Sequence, residues 1–160
     1  TLADNLKKNK GSVVLFSTVA VKQGFPNHAI VSSAKGAIEG LTLALAAEFA
    51  PNVRVNCIAP SLTNSKISNF LLKNEKVAEG IAKMHPMKRI GEGGDSASVA
   101  KFLLTDESSW ITGQILGVDG GRSSVAWQSS KKQLNNDYEK FFSNSFYSFV
   151  KLKFNGCGKW

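Results

Sequence analysis

The chain has 160 residues, 20 lysines and arginines against 12 acidic residues, a net charge of +8, and 42% hydrophobic residues, which suits one domain with a sizeable core. Two cysteines, Cys57 and Cys157, exclude a disulfide framework, and no apolar run reaches 18 residues, which argues against a membrane span. The basic residues before position 127 are scattered singly and read as solvated surface rather than a nucleic-acid footprint.

Residues 2–9 read as the closing turns of a helix, with lysines where the dipole favours cations and Gly11 as the stop. Ser12-Val-Val-Leu-Phe-Ser17 is a β-branched and aromatic run of the kind buried on both faces in parallel sheets. Residues 18–29 form a loop with Gly24, Pro26 and Asn27 as turn signals, and Asn27 is placed to cap the next helix. That long helix runs from Val31 to Pro51, which cannot continue it. Its expected buried face is Ala34, Ala37, Ile38, Leu41, Leu45, Ala46 and Phe49; a second face of small residues (Ser33, Gly36, Ala37, Gly40, Ala44, Ala47) would admit another helix closely. A strand over Asn52–Ala59 completes a right-handed βαβ unit, with Cys57 as a small buried hydrophobe.

Pro60-Ser-Leu-Thr-Asn-Ser65 leaves the carboxyl end of that strand, where ligands sit in open α/β sheets. Residues 66–85 read as one or two helices of a lid, and 85–94 as a loop. Asp95 or Ser96 is expected to cap a helix through about Leu104, with Ala97, Ala100, Leu103 and Leu104 inward. Gln114–Val118 is a last strand ended by glycines. Residues 127–160 change character, with six lysines against Asp137 and Glu139 and an aromatic face of Tyr138, Phe141, Phe142 and Phe149. Aromatics with lysines fit a membrane surface, but a docking helix or a stretch without function of its own is the preferred reading.

Three stretches carry a resemblance. They are the helix opening Val31-x-x-x-Lys35, the Pro60–Ser65 turn, and the carboxyl-terminal run from His85-Pro-Met-Lys-Arg-Ile-Gly through Trp110-Ile-Thr-Gly-Gln to Val118-Asp-Gly-Gly121. Together they resemble the short-chain dehydrogenase/reductase family over about residues 1–124, leaving 125–160 outside. The resemblance implies an α/β fold, the carboxyl-terminal part of a doubly wound (Rossmann-type) parallel sheet, and a longer parent protein of which this chain is a fragment. It also implies NAD or NADP as cofactor, a small carbonyl or alcohol substrate and homo-oligomers; the cysteine usage makes a reducing cytoplasm the default setting.

In the family a tyrosine gives the proton, and a lysine four residues on lowers its pKa and holds the cofactor ribose. A serine thirteen residues before the tyrosine polarises the carbonyl. Mapped onto this sequence, the serine position is Thr18, with Ser17 beside it; the lysine is Lys35; and the tyrosine position holds Val31, which has no proton to give. Pro60, Ser61, Leu62, Thr63 and Ser65 take the place of the family's Pro-Gly-x-x-x-Thr at the nicotinamide end. His28 shares a helical stripe with Val31 and Lys35, about 4.5 Å further along the axis, and is a candidate surrogate acid. Gly91-Glu-Gly-Gly94 is not the phosphate-binding loop, because it follows no strand. Two functions stay open: an oxidoreductase with an atypical proton donor, or a non-catalytic scaffold.

Overall fold

The computed structural model describes residues 1–126; the expectations for the aromatic tail and for Cys157 fall outside the described residues. Three parallel strands form one sheet in the order β1 (Ser12–Phe16), β2 (Arg54–Pro60), β3 (Ile115–Val118). Ser12 sits opposite Arg54, and Cys57 opposite Ile115. The central strand is the core: Val55, Cys57 and Ile58 are fully buried. Burial also pushes the Cys57 thiol pKa up, in keeping with a small buried hydrophobe. The long helix α3 (Ala29–Phe49) makes the crossover from β1 to β2 and packs on both. Val53, Val55 and Ala46 form a cluster flanked by Leu6, Val13, Leu15, Leu45 and Phe49.

Several expectations are corrected. β1 is half-buried rather than buried on both faces, and Phe16 is 45% exposed. The reason is topological: β1 pairs only with β2 among the described residues and so lies at a sheet edge. The first helix is α1 (Leu2–Lys8), with Thr1 and Asp4 forming a capping box. It ends at Lys8 with Asn9 as the C-cap, and the left-handed residue that follows is Lys10 (φ 50°) rather than Gly11. Gly11 lies close under Leu6: a Cβ there would meet Leu6 Cδ2 at 2.7 Å and that side chain would have to shift.

The segment 18–29 is not all loop. It holds one helical turn, α2 (Ala20–Gln23), against α3. Asn27 does not cap α3; it takes a left-handed turn (φ 62°) and His28 is the N-cap residue. The inward face of α3 is also rotated from the expected one. Thr42 and Ala46 are buried, while Leu41 and Leu43 are exposed, as are Ala34 and Ala37. Polar side chains on this side are satisfied: Ser17 Oγ, at the end of β1, donates to Glu39 Oε1 at 2.6 Å, and Thr42 Oγ1 donates to the Ile38 carbonyl of its own helix at 2.8 Å. The small-residue stripe faces outward, apart from Gly36 near Val21. By length and composition α3 is apolar enough to cross a membrane (hydropathy 1.3), although Lys35, Glu39 and Glu48 interrupt it. In this fold it is the crossover helix of the sheet.

The 66–85 segment is two helices, α4 (Asn69–Leu72) and α5 (Glu75–Lys83), the second capped by Asn74 Oδ1 accepting from the Val77 amide. The last helix, α6 (Gly93–Leu104), starts after Glu92, three or four residues earlier than a cap at Asp95 or Ser96 would place it. Asp95 does not cap it from outside. It sits at the third helical position, where its carboxylate accepts from the Glu92 amide at 2.7 Å. Leu103 is buried as expected, but Ala97 and Leu104 face outward and Val99 and Ala100 lie inward. Arg54 closes the far end of α6. Its guanidinium donates to the carbonyls of Leu103 (2.9 Å) and Thr105 (3.0 Å) and to Ser108 Oγ (2.6 Å).

Candidate active site

All three strands end on the same side, and the segments that leave them line a cleft of about 520 Å³. Thr18, Val19 and Ala20 come from the end of β1, Pro60 to Thr63 and Ser65 from the end of β2, and Arg122 from beyond β3. His28 and Val31 come from the start of α3, and Ile81 and Met84 from α5. The walls are mostly apolar, with convergent polar groups at a few positions, which is how small-molecule sites are built.

The structure brings Thr18, His28, Pro60, Ser61, Leu62, Thr63 and Ser65 to this one cleft, together with Val31. Thr18 Oγ1 accepts from the Ala20 amide at 3.3 Å, which fixes the side chain and leaves its O–H to donate. Ser17, the alternative, is buried and its hydroxyl is committed to Glu39. Val31 is 48% exposed. His28 caps nothing with its ring; its Nδ1 meets the Pro26 carbonyl at 2.8 Å, so the neutral ring donates there and keeps Nε2 as an acceptor.

Lys35 is not on the cleft wall. Its Nζ donates to the Phe16 carbonyl at 2.9 Å, one helical turn inside from Val31. An ammonium has three N–H donors, so this bond uses one of them. Thr63 Oγ1 donates to the Ser61 carbonyl (3.0 Å) and Ser65 Oγ lies 3.1 Å from Ser68 Oγ. The Pro60 turn is therefore braced internally, and it is braced from below as well. A Cβ on Gly91 would meet Thr63 Oγ1 at 3.1 Å, so the glycine allows the loops to touch.

Two residues escaped the sequence reading. His85, read as loop, is 2% exposed at the end of α5. Its Nδ1 bonds the Ile81 carbonyl and its Nε2 the Ser61 hydroxyl, each at 2.8 Å. The bonding fixes the tautomer: Nδ1–H donates, and Nε2 accepts from Ser61. The signal was its place four residues after Ile81, on the same face of the helix. Arg122 is the other. It lies just past the last strand, so the rule that places a site beyond strand carboxyl ends applies to it as much as to Pro60.

A second cavity of about 410 Å³ adjoins the first through Ser61, Leu62 and His85 and is floored by Gly117 to Gly121. Asp119 sits there, 8% exposed. Burial raises its pKa, but the Ser123 and Gly121 amides bonded to its carboxylate outweigh this and hold it below the usual range. Arg89, also on this wall, holds Asp95 Oδ1 and Oδ2 at 2.7 Å each and lowers the Asp95 pKa to about 2. Among the described residues there is no His, Cys, Asp and Glu group fit for a metal.

A parallel sheet with a helical crossover and a cleft across its strand carboxyl ends is the layout of the doubly wound, nucleotide-binding α/β class. A family model described as enoyl-(acyl carrier protein) reductase matches residues 1–123. Tropinone reductase-like 3 of Erythroxylum coca is 39% identical over 122 residues, covering 76% of this chain and 47% of that protein. Human dehydrogenase/reductase SDR family member 4 is 37% identical over 119 residues, covering 74% of this chain and 43% of that one. Among solved structures, ElxO with NADP bound matches with a TM-score of 0.71 at 29% identity, covering 78% of this chain and 51% of its own. The chain belongs to the short-chain dehydrogenase/reductase family. It spans about half the length of the curated relatives it matches.

Proposed function

We propose that this chain forms the substrate side of an NAD- or NADP-dependent oxidoreductase that interconverts a carbonyl and an alcohol. The observation that carries the reading is the O–H of Thr18, left to donate into an apolar cleft that Pro60 to Thr63 and Ser65 also line. The solved relative with NADP bound supports the cofactor class.

The residues present suit the nicotinamide end in kind. Pro60, Ser61, Leu62, Thr63 and Ser65 offer a braced turn with small and hydroxylated side chains beside an apolar cleft. A nicotinamide dinucleotide, when bound, supplies or accepts a hydride. The chain's own contribution is to hold the carbonyl oxygen by the Thr18 hydroxyl and to keep water out with α4 and α5. Lys35 is one turn from Val31 and has donors left for a ribose. Proton delivery falls to a group other than residue 31. His28 is the candidate on the cleft wall, and water is the alternative.

The test is a fluorescence titration with NADH and with NADPH, followed by turnover on a panel of ketones. Saturable binding with slow turnover, quickened in a Val31→Tyr variant, is the expected result. Binding without turnover in either protein would favour a scaffold. That second reading draws support from the outward face of α3, where Ile30, Leu41 and Leu43 are 87%, 44% and 54% exposed, a surface suited to another copy of the chain.

A further inference from the structure

We propose that the cleft takes carbonyl substrates bearing an anionic group, a carboxylate above all, with Arg122 as the specificity-determining residue; this rests on the oxidoreductase reading and adds the substrate class to it.

Charge singles out Arg122. Among the described residues it is the one side chain of fixed charge on the cleft wall, and no aspartate or glutamate lines that wall. Among the same residues no carboxylate lies within ion-pair distance of its guanidinium. The nearest acid in sequence, Asp119, is committed to the Gly121 and Ser123 amides at 2.9 and 2.8 Å. A half-buried cation facing an apolar cleft without a counter-ion pays a desolvation penalty that an anionic ligand relieves.

The cation is also held in place. Its Cζ lies 5.0 Å from the centroid of the Phe25 ring, a cation–π contact. Phe25 is gripped in turn by His28, whose ring meets it edge-on at 5.5 Å and 73°. The backbone amide of Arg122 donates to the Asp119 carbonyl at 3.1 Å, which fixes the root of the side chain. A cation–π contact uses no N–H donor, so the guanidinium keeps the fork that fits a carboxylate in two parallel bonds. Thr18, which is to hold the carbonyl oxygen, lies on the same cleft. A ligand with a carbonyl at one end, an apolar body and a carboxylate at the other matches the wall from Thr18 to Arg122.

The probe is 4-oxo-4-phenylbutanoate against its methyl ester, measured by calorimetry at low ionic strength on the full chain, on Arg122→Gln and on Arg122→Lys. Circular dichroism checks that each is folded. The acid should bind on the order of tenfold tighter than the ester in the wild type. Arg122→Gln should bring the two to parity, and Arg122→Lys should keep part of the preference. Equal affinities in the wild type, no binding of the acid at millimolar concentration, or a preference that survives in Arg122→Gln would each overturn the proposal. So would an Arg122→Gln protein that loses dinucleotide affinity while keeping the acid–ester ratio. A protein that prefers the acid but binds neither NADH nor NADPH would keep this subsite and remove the oxidoreductase reading. Dinucleotide binding with an acid–ester ratio of one would do the reverse.

Discussion

The Ser61 hydroxyl donates to Nε2 of His85 at 2.8 Å, tying the turn after the central strand to the end of α5. Where the family pattern has a glycine, this chain has a serine, and the serine is what satisfies the buried ring. Removing it leaves Nε2 without a donor in a site that is 2% exposed. Ser61→Ala should therefore lower unfolding stability by about 1–3 kcal/mol. His85→Ala, which also opens space between the two cavities, should cost more than that. Urea midpoints at unchanged slope measure both.

Turnover should respond to residue 31 more than to any other single position. Val31→Tyr places a phenol one turn from Lys35 and should raise the rate roughly 10²–10⁴-fold, the usual range for a positioned acid. Thr18→Val should lower it by roughly 10² by removing the donor to the carbonyl oxygen. His28→Ala separates the two sources of the proton. If the rate is unchanged, water serves; a drop assigns the role to the ring.

The pH dependence of stability has a definite sign at Asp95. The hydrogen bonds from Arg89, and then from the Glu92 amide, lower its folded pKa to about 2, below the ordinary carboxylate value. The folded state thus binds its proton less readily than the unfolded state does. The stabilisation is fully present above about pH 4 and is lost as pH falls toward 2. The melting temperature of the wild type should fall across that window, and the fall should be shallower for Asp95→Asn. The pair is solvent-exposed, so salt should weaken the difference.

Arg54 acts as a brace between the central strand and the end of α6, with three bonds to Leu103, Thr105 and Ser108. Arg54→Met keeps the stem but removes three charge-assisted bonds; the Leu103 carbonyl keeps Ser12 Oγ and the Thr105 carbonyl keeps Ser108, so the loss should be about 1–3 kcal/mol in chemical denaturation. Arg54→Lys should recover only part, because one ammonium nitrogen cannot span acceptors that the guanidinium reaches from two nitrogens.

The elements most legible in the sequence were those with a local cause. Pro51 ends α3, the run Ser12–Phe16 is a strand because of its β-branched residues, and the glycines after Val118 end β3. The facing of α3 was not legible. That helix is apolar on most sides, so the pattern did not choose a face, and the choice fell to Glu39 and Lys35 through partners at the end of β1, with Thr42 satisfied within the helix. The turn Ala20–Gln23 was missed because four residues carry no period. At the site, Thr18 and the Pro60 turn came from strand ends and the resemblance. His85 and Arg122 take their roles from Ser61 and Phe25, which are distant in the chain, and no local pattern announces such a meeting.

The exposed edge of β1 has a consequence for how this polypeptide behaves in the tube. Ser12-Val-Val-Leu-Phe16 is a short, uncharged, β-prone segment whose outer backbone groups meet no other strand among the described residues. Such an edge is a template onto which another extended chain can add, strand upon strand. Concentrated preparations should accordingly show seeded, lag-phase growth of ordered aggregates, and an extended peptide that pairs with the edge should suppress it.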